Sequence, residues 1–116
     1  MMRNILFRGK RVDNGKWVYG FLVKIWGLYH IIDQNDENFA YITKPKTVGQ
    51  FTGILDKNGK KIFEGDIVES PHGTQGFIEW QNAECAFLVN IGDDWQTMDD
   101  CPYEVIGNIY DKEEEE

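Results

Sequence analysis

The sequence predicts a mostly β fold built from short antiparallel strands. Apolar and polar residues alternate over short runs, and glycine or Asx turns separate these runs. No window keeps helical spacing for three turns, so we expect no helix longer than about three turns. With 41% hydrophobic residues in 116, the chain has enough apolar material for one core, or for two small cores sharing a seam.

The first 45 residues are predicted to form an N-terminal β lobe, arranged as a hairpin or meander. Its strands are expected at residues 5–8, 16–25 and 28–32. An Asp-Asn-Gly turn follows the first strand, Trp26 and Gly27 interrupt the second run, and residues 33–38 form a polar loop.

Residues 46–110 are predicted to form a small SH3-like or OB-like barrel. Strands are expected at residues 48–54, 61–63, 67–68, 77–80, 86–90 and 103–110. A tight turn at residues 56–59 should join the first two, with Asn58 or Gly59 at positive φ. Residues 111–116 carry five acids and one lysine, which predicts an acidic disordered tail.

A long motif covers residues 47–68, which read TVGQFTGILDKNGKKIFEGDIV. Residues 7–10 (FRGK), 15–20 (GKWVYG) and 103–110 (YEVIGNIY) complete the pattern. This pattern resembles the YopX family of phage and prophage proteins, so that residues 1–110 form a single YopX-like domain. The resemblance implies a bacterial phage or prophage origin and a mostly β fold. It implies no agreed activity and supplies no catalytic residue.

The motif residues are interpreted as structural turns, because glycines permit positive φ and close backbone approach. The segment between the first two glycines lacks the Gly-Lys-Ser/Thr ending of a phosphate loop. The motif positions assigned this structural role are Gly49, Gln50, Gly53, Asp56, Asn58, Gly59, Glu64, Gly65 and Asp66.

Charge is segregated along the chain. Residues 1–24 have a net charge of +5, whereas residues 62–110 hold ten acids and no base. Such bands can steer a basic partner or guide self-association, although an acid-rich surface can also serve solubility alone.

The densest carboxylate cluster surrounds Trp95 and is interpreted as an exposed acidic hairpin tip. It matches no calcium loop, so we expect no bound metal. An aromatic anchor with an acidic rim suits a basic or peptide partner. The candidate interaction residues are Asp93, Asp94, Trp95, Asp99, Asp100 and Trp26. Trp17, Trp26 and Trp80 could stack on nucleic-acid bases. Because the surrounding acidic residues would repel phosphates, core packing of these three side chains is favoured instead.

The remaining chemistry-bearing residues predict no catalytic site and no cofactor. Cys85 and Cys101 fit no zinc or redox spacing and are interpreted as free thiols. Neither His30 nor His72 has a nucleophile at a recognisable spacing, although a Cys/His pair formed through space stays open. No apolar run is long enough for a membrane span or a signal peptide, which predicts a cytoplasmic protein of the bacterial host cell.

These observations favour a non-catalytic phage or prophage accessory protein. It would act as an interaction or assembly module and form a homo-oligomer through β edges and charge bands. One alternative is an acidic binder, or a nucleic-acid mimic, directed at a basic host protein that binds nucleic acid. A second alternative is an enzyme. Direct nucleic-acid binding would fall to the basic N-terminal strands and is disfavoured by the overall charge of −8.

Overall fold

The computed structural model describes residues 5–98 and 102–114. Strands dominate these residues, which confirms the mostly β, antiparallel prediction. The chain divides into two compact units, Met1–Phe51 and Thr52–Glu116. The boundary lies inside a strand, six residues after the division expected at 45/46. The strands are β1 Phe7–Lys10, β2 Trp17–Ile25, β3 Leu28–Asp33, β4 Ala40–Ile42, β5 Gly49–Leu55, β6 Lys61–Phe63, β7 Asp66–Glu69, β8 Gln75–Gln81, β9 Ala86–Asn90, β10 Trp95–Gln96 and β11 Glu104–Asn108.

The first unit is an antiparallel meander with strand order β4-β3-β2-β1-β5. A 3₁₀ helix, Pro45–Thr47, precedes β5. An isolated bridge joins Arg11 to Thr43, and the Lys44 amide donates to the Lys10 carbonyl. The sheet therefore bends until the end of β1 meets the end of β4, and one face is turned inward.

The inward face of this sheet is densely packed. Val18 and Ile31 are buried there, and Thr43 donates its hydroxyl to the Tyr29 carbonyl at 3.0 Å. A Cβ on Gly9 would lie 3.2 Å from Thr43 and 3.3 Å from Ile31, so glycine leaves these side chains their space. The first unit thus fills its interior with the residues that alternate to this side of each strand.

The second unit contains the end of β5 and the whole of β6. It also contains a five-stranded sheet in the order β10-β9-β8-β7-β11. Its core is built from buried side chains on these strands and on the segments beside them. They are Ile62, Val68, Ile78, Val89, Met98 and Tyr103. A register shift between Val105 and Gly107 marks a bulge in β11. No closed barrel is found among the described residues, so the barrel predicted for residues 46–110 is not confirmed.

The chain after β11 departs from the prediction. Residues Ile109–Glu114 form a short helix, α1, so residues 111–114 are not the disordered tail expected from their charge. The Asn108 side chain explains the change, because its Oδ1 accepts the backbone N–H groups of Tyr110 and Asp111 at 3.0 and 2.8 Å. This is N-cap geometry, and Asp111 in the first turn adds favourable charge.

Most of the predicted strands are present within one or two residues of their expected bounds. The turn predicted at residues 56–59 is confirmed: it joins the neighbouring strands β5 and β6 with Gly59 at φ +83°. The Asp-Asn-Gly turn after β1 is also confirmed, with Gly15 at φ +71°. The sequence patterns missed β4 and β10, which are only three and two residues long.

Candidate interaction surface

The outward face of the first unit is apolar. Register pairs Phe21 with Ile32, Val23 with His30, and Ile25 with Leu28, and directly paired residues of antiparallel strands point to the same side. Strand β4 extends the same rows through Ala40 and Ile42. We name this set the outer face: Tyr19, Phe21, Val23, Ile25, Leu28, His30, Ile32, Ala40 and Ile42.

Large apolar side chains of the outer face are open to solvent. Phe21 is 51% exposed, Leu28 is 48% and Ile42 is 42%. Tyr19 and Ile25 add 36% and 38%. An antiparallel sheet with one wet face ordinarily presents polar residues there. With aromatic residues covering 150–250 Å² when fully exposed, these five side chains leave roughly 400 Å² of contiguous apolar surface. This area lies within the roughly 300–600 Å² of the largest apolar patch on a typical monomer, a patch that is often functional.

A tryptophan extends the outer face at its tip. Trp26 and Gly27 form the turn between β2 and β3, with φ of +55° and +77°. Trp26 is 95% exposed, which corrects the expectation that it packs in a core. A left-handed backbone disfavours large L-residues, so the hairpin keeps this indole in solvent at a conformational cost. Trp26 therefore stays a candidate contact residue, now placed beside Ile25 and Leu28.

Two cationic side chains of β1, Arg8 and Lys10, lie on the same side of the sheet as the outer face. The Arg8 guanidinium lies 4.6 Å from the centroid of the Trp17 ring, and the Lys10 ammonium lies 5.5 Å from it. Both cations are buried, with 5% and 1% exposure. Their attraction to the ring fixes Trp17 at the border of the apolar surface.

Asp56 organises the first turn of the sequence motif. Its Oδ1 accepts the backbone N–H groups of Asn58 and Lys60 at 2.8 and 2.9 Å. Its Oδ2 accepts the N–H of Val105 at 3.0 Å, 49 residues along the chain. One carboxylate thus closes the β5–β6 turn and attaches it to β11.

The ionisation of Asp56 reflects these contacts. Burial of the carboxyl group acts to raise its pKa, but the hydrogen bonds from Val105, Lys60 and Asn58, with the charge of Lys60, outweigh burial. The pKa of Asp56 consequently lies below its ordinary value of 3.8. The group is a structural anion rather than a proton donor or acceptor near neutral pH.

The end of the motif has the same structural character. Asp66 is buried and its Oδ2 accepts the Phe63 N–H at 2.8 Å. Gly65 has φ +91°, and a Cβ there would lie 2.7 Å from the Tyr110 ring. Gly65 also accepts the Ile109 N–H and donates to the Ile78 carbonyl.

The remaining motif residues lie in or beside β5 and β6. Gly49 and Gln50 pair with Arg8 and Phe7 on β1. Gly53 has φ +89° within β5, and Glu64 precedes Gly65 in the turn before β7. Every motif position thus lies in a strand or a turn, and the structural role assigned to the motif stays a prediction.

The predicted acidic tip follows β9. Asp93 and Asp94 are exposed in the turn between β9 and β10, whose ends are held by the Ile91 N–H and the Asp94 carbonyl. Trp95 is 46% exposed, and its indole N–H donates to Glu79 at 2.7 Å. Glu79 also accepts from the Asn90 amide at 2.7 Å, which fixes the orientation of the indole. Asp99 and Asp100 lie outside the described residues.

A small polar cavity lies in the first unit, with a volume of about 150 Å³. The Arg11 guanidinium stacks 3.9 Å from the Tyr41 ring centroid and donates to both carboxylate oxygens of Asp13. This hydrogen bond lowers the pKa of Asp13 and raises that of Arg11. Because Arg11 is already paired, the cavity offers no free cation from that residue. Its lining comprises Arg11, Trp17, Val18, Tyr19, Asp33, Gln34, Asn35 and Tyr41.

The other candidate groups are dispersed. In the part of the chain that the structure describes, no three His, Cys, Asp or Glu side chains are placed to hold a metal ion. Cys85 is an exposed free thiol, and Cys101 lies outside that part. Neither helix of residues 5–98 and 102–114 has the length and hydrophobicity to cross a membrane.

Comparison with known proteins identifies the family. A family model described as YopX protein matches residues 6–114, nearly the entire chain. The chain belongs to the YopX family. The match includes the outer face, the Asp56 turn and the acidic turn of this YopX family member. No curated protein matches the chain.

Sequence reasoning missed the outer face, although a signal for it exists. Strand β2 reads WVYGFLVKI and is almost continuously apolar, whereas a strand with one wet face should alternate. Apolar residues at both odd and even positions indicate that both faces of β2 contact apolar surroundings. His30 and Ile42 could be added only with the register of β3 and β4.

Proposed function

We propose that this YopX family protein is a non-catalytic interaction module that self-associates through its outer face. The observation that carries the proposal is the uncharged, exposed apolar surface spread over three neighbouring strands. We infer that it serves a phage or prophage as an accessory protein in the bacterial cytoplasm, an origin suggested by the family.

A second copy is the occupant that suits this surface. The nine outer-face side chains carry no formal charge with His30 neutral, so two identical faces can meet without opposing like charges.

The size of the outer face sets the expected affinity of self-association. Stable protein pairs commonly bury about 800 Å² per partner. The outer face supplies roughly 400 Å² of apolar surface, worth about 10 kcal/mol per copy at 25 cal/mol/Å² before the cost of association. Two copies together gain about 20 kcal/mol, and an association cost of roughly 12 kcal/mol leaves about 8 kcal/mol, which corresponds to a dissociation constant on the order of micromolar.

Light scattering coupled to size exclusion tests the proposal. Over a range of protein concentration around the micromolar scale, the wild-type mass should rise above the 13.5 kDa of one chain. The double variant Phe21→Thr/Ile42→Thr should stay at the monomer mass, because threonine keeps strand propensity but removes the apolar contact.

The second unit offers a matched control. Leu55 and Ile106 are 50% and 47% exposed, close to the 51% and 42% of Phe21 and Ile42, and all four lie in strands. Leu55→Thr/Ile106→Thr should associate like the wild type. A wild-type mass of one chain at every concentration, or equal loss in both double variants, would contradict the proposal.

The oriented Trp95 favours a second candidate function, the binding of a basic host protein. Glu79 holds the indole, and exposed Asp93 and Asp94 provide an anionic border suited to lysine or arginine side chains. A more specific version of this hypothesis is that the surface mimics nucleic acid and so binds a basic host protein.

Affinity capture from host lysate with mass spectrometry tests this candidate. Trp80 is a matched control, because it is 44% exposed and its indole N–H also bonds a side chain, Asn82. A basic protein captured by the wild type and by Trp80→Ala, but lost with Trp95→Ala and at high salt, would support it. Capture that is insensitive to Trp95→Ala would contradict it.

A further inference from the structure

A histidine lies within the apolar outer face. His30 pairs with Val23 of β2 on one side and with Ile42 of β4 on the other. Its Nδ1 lies 3.0 Å from the Leu28 carbonyl oxygen, which can only accept a hydrogen bond. The neutral ring therefore carries its proton on Nδ1, and a second proton would be added at Nε2.

No residue of β1 to β4 on the same side of the sheet as His30 offers an anion to a charged imidazole. The carboxylates Asp36 and Glu37 lie in the exposed loop between β3 and β4. In β1 to β4, the one carboxylate is Asp33, which pairs with Gly20 and lies on the opposite side of the sheet from His30. Lys24 and Tyr29 also alternate to that opposite side. The charged groups that share the outer side are the cations Arg8 and Lys10, paired with Tyr19 and Trp17. Tyr19 is the other titratable group of the outer face.

We propose that protonation of His30 switches off self-association through the outer face. The inference rests on the proposed function, because the switch acts on that same surface. When a second copy covers the outer face, each imidazole loses water and gains no carboxylate, so the charged ring is disfavoured in the associated state. Association then requires neutral His30 in both copies, and acid pH shifts the equilibrium to the monomer.

The expected effect is large over a narrow pH range. Imidazoles ordinarily take up a proton near pH 6.5. If both copies must keep their rings neutral, the association constant falls about 100-fold between pH 7.5 and pH 5.5.

Net charge alone would have the opposite effect and would strengthen association as the pH falls. The net charge of −8 at pH 7 decreases in magnitude toward the isoelectric point of about 4.7, which reduces repulsion between copies. Weakening in acid would therefore identify a specific group rather than a general charge effect.

The two histidines of the chain allow a matched experiment. Dissociation constants are measured by sedimentation equilibrium at pH 7.5 and pH 5.5, at equal ionic strength, with circular dichroism to verify folding at both values. The variants are His30→Gln and His72→Gln, since His72 lies exposed in the turn between β7 and β8.

The wild type and His72→Gln should associate about 100 times more weakly at pH 5.5, while His30→Gln should associate at both pH values with similar affinity. Association of the wild type that is unchanged by pH, or pH dependence that persists in His30→Gln, would overturn the switch and leave the proposed function standing. A monomeric wild type at pH 7.5 would overturn both, and would do so before any pH comparison.

Discussion

Replacing Asp56 by alanine should lower the free energy of unfolding by more than is usual for a single substitution at a turn. Its carboxylate accepts three backbone N–H groups, and Asp56→Ala removes all three acceptors. The N–H groups of Asn58 and Lys60 belong to exposed residues and can turn to water, at a cost of about 0.5–1 kcal/mol each. The Val105 N–H lies in a half-buried strand and loses a bond to a charged acceptor, worth about 1.5–3 kcal/mol. We expect a total loss of about 3 kcal/mol.

Urea unfolding followed by circular dichroism measures this loss. With a slope of about 1–1.5 kcal/mol/M for a protein of this size, the midpoint should fall by roughly 2–3 M. Asp93→Ala is the control, because Asp93 is exposed in the acidic turn of the same unit. A loss below about 1 kcal/mol for Asp56→Ala, or an equal loss for Asp93→Ala, would refute the structural role assigned to Asp56.

The pH dependence of the same pair of proteins gives an independent check. Because the pKa of Asp56 is lowered in the folded state, the stabilisation from its ionised form is fully present above its ordinary value of 3.8. It is lost as the pH falls through the lower folded-state value. The gap in unfolding free energy between wild type and Asp56→Ala should therefore stay constant from pH 7 to pH 5 and narrow below about pH 3.8. A gap that narrows already between pH 7 and pH 5 would mean that another group is responsible.

Two further substitutions test the strained positions. Gly65→Ala should cost about 2 kcal/mol in urea unfolding, because φ is +91° and the new Cβ would lie 2.7 Å from the Tyr110 ring; an unchanged midpoint would contradict this close packing. Trp26→Asn should raise stability by about 0.5–1 kcal/mol, because asparagine tolerates the left-handed turn better than tryptophan. The same variant should weaken self-association in light scattering, and a variant that is both less stable and fully associated would argue against a contact role for Trp26.

The sequence predicted elements well where a local rule determines them. The Asn58-Gly59 turn follows from the left-handed preference of glycine, and β6 and β9 follow from runs of apolar residues between turns. It did not predict α1, because a short helix depends on its cap, and the Asn108 cap was read as part of a strand.

The candidate surface was predicted only in part. Trp95 was predicted as an exposed contact because it lies at the acidic tip, whereas Trp26 was a candidate contact for which core packing was favoured, and its 95% exposure follows from the turn between β2 and β3. Phe21, His30 and Ile42 are far apart in sequence and become neighbours only through the β2-β3-β4 register, which depends on the short strand β4. The bond between Asp56 and Val105 was equally invisible, because 49 residues separate its partners.

Amide chemical shifts recorded during dilution report, residue by residue, whether the outer face is the contact between copies. Isotope-labelled protein is diluted at pH 7.5 from well above to well below the micromolar range expected for dissociation. We expect concentration-dependent shifts for Phe21, His30 and Ile42, and constant shifts for the buried strands at Ile78 and Val89. Shifts confined to the second unit, or none at all over this range, would contradict it.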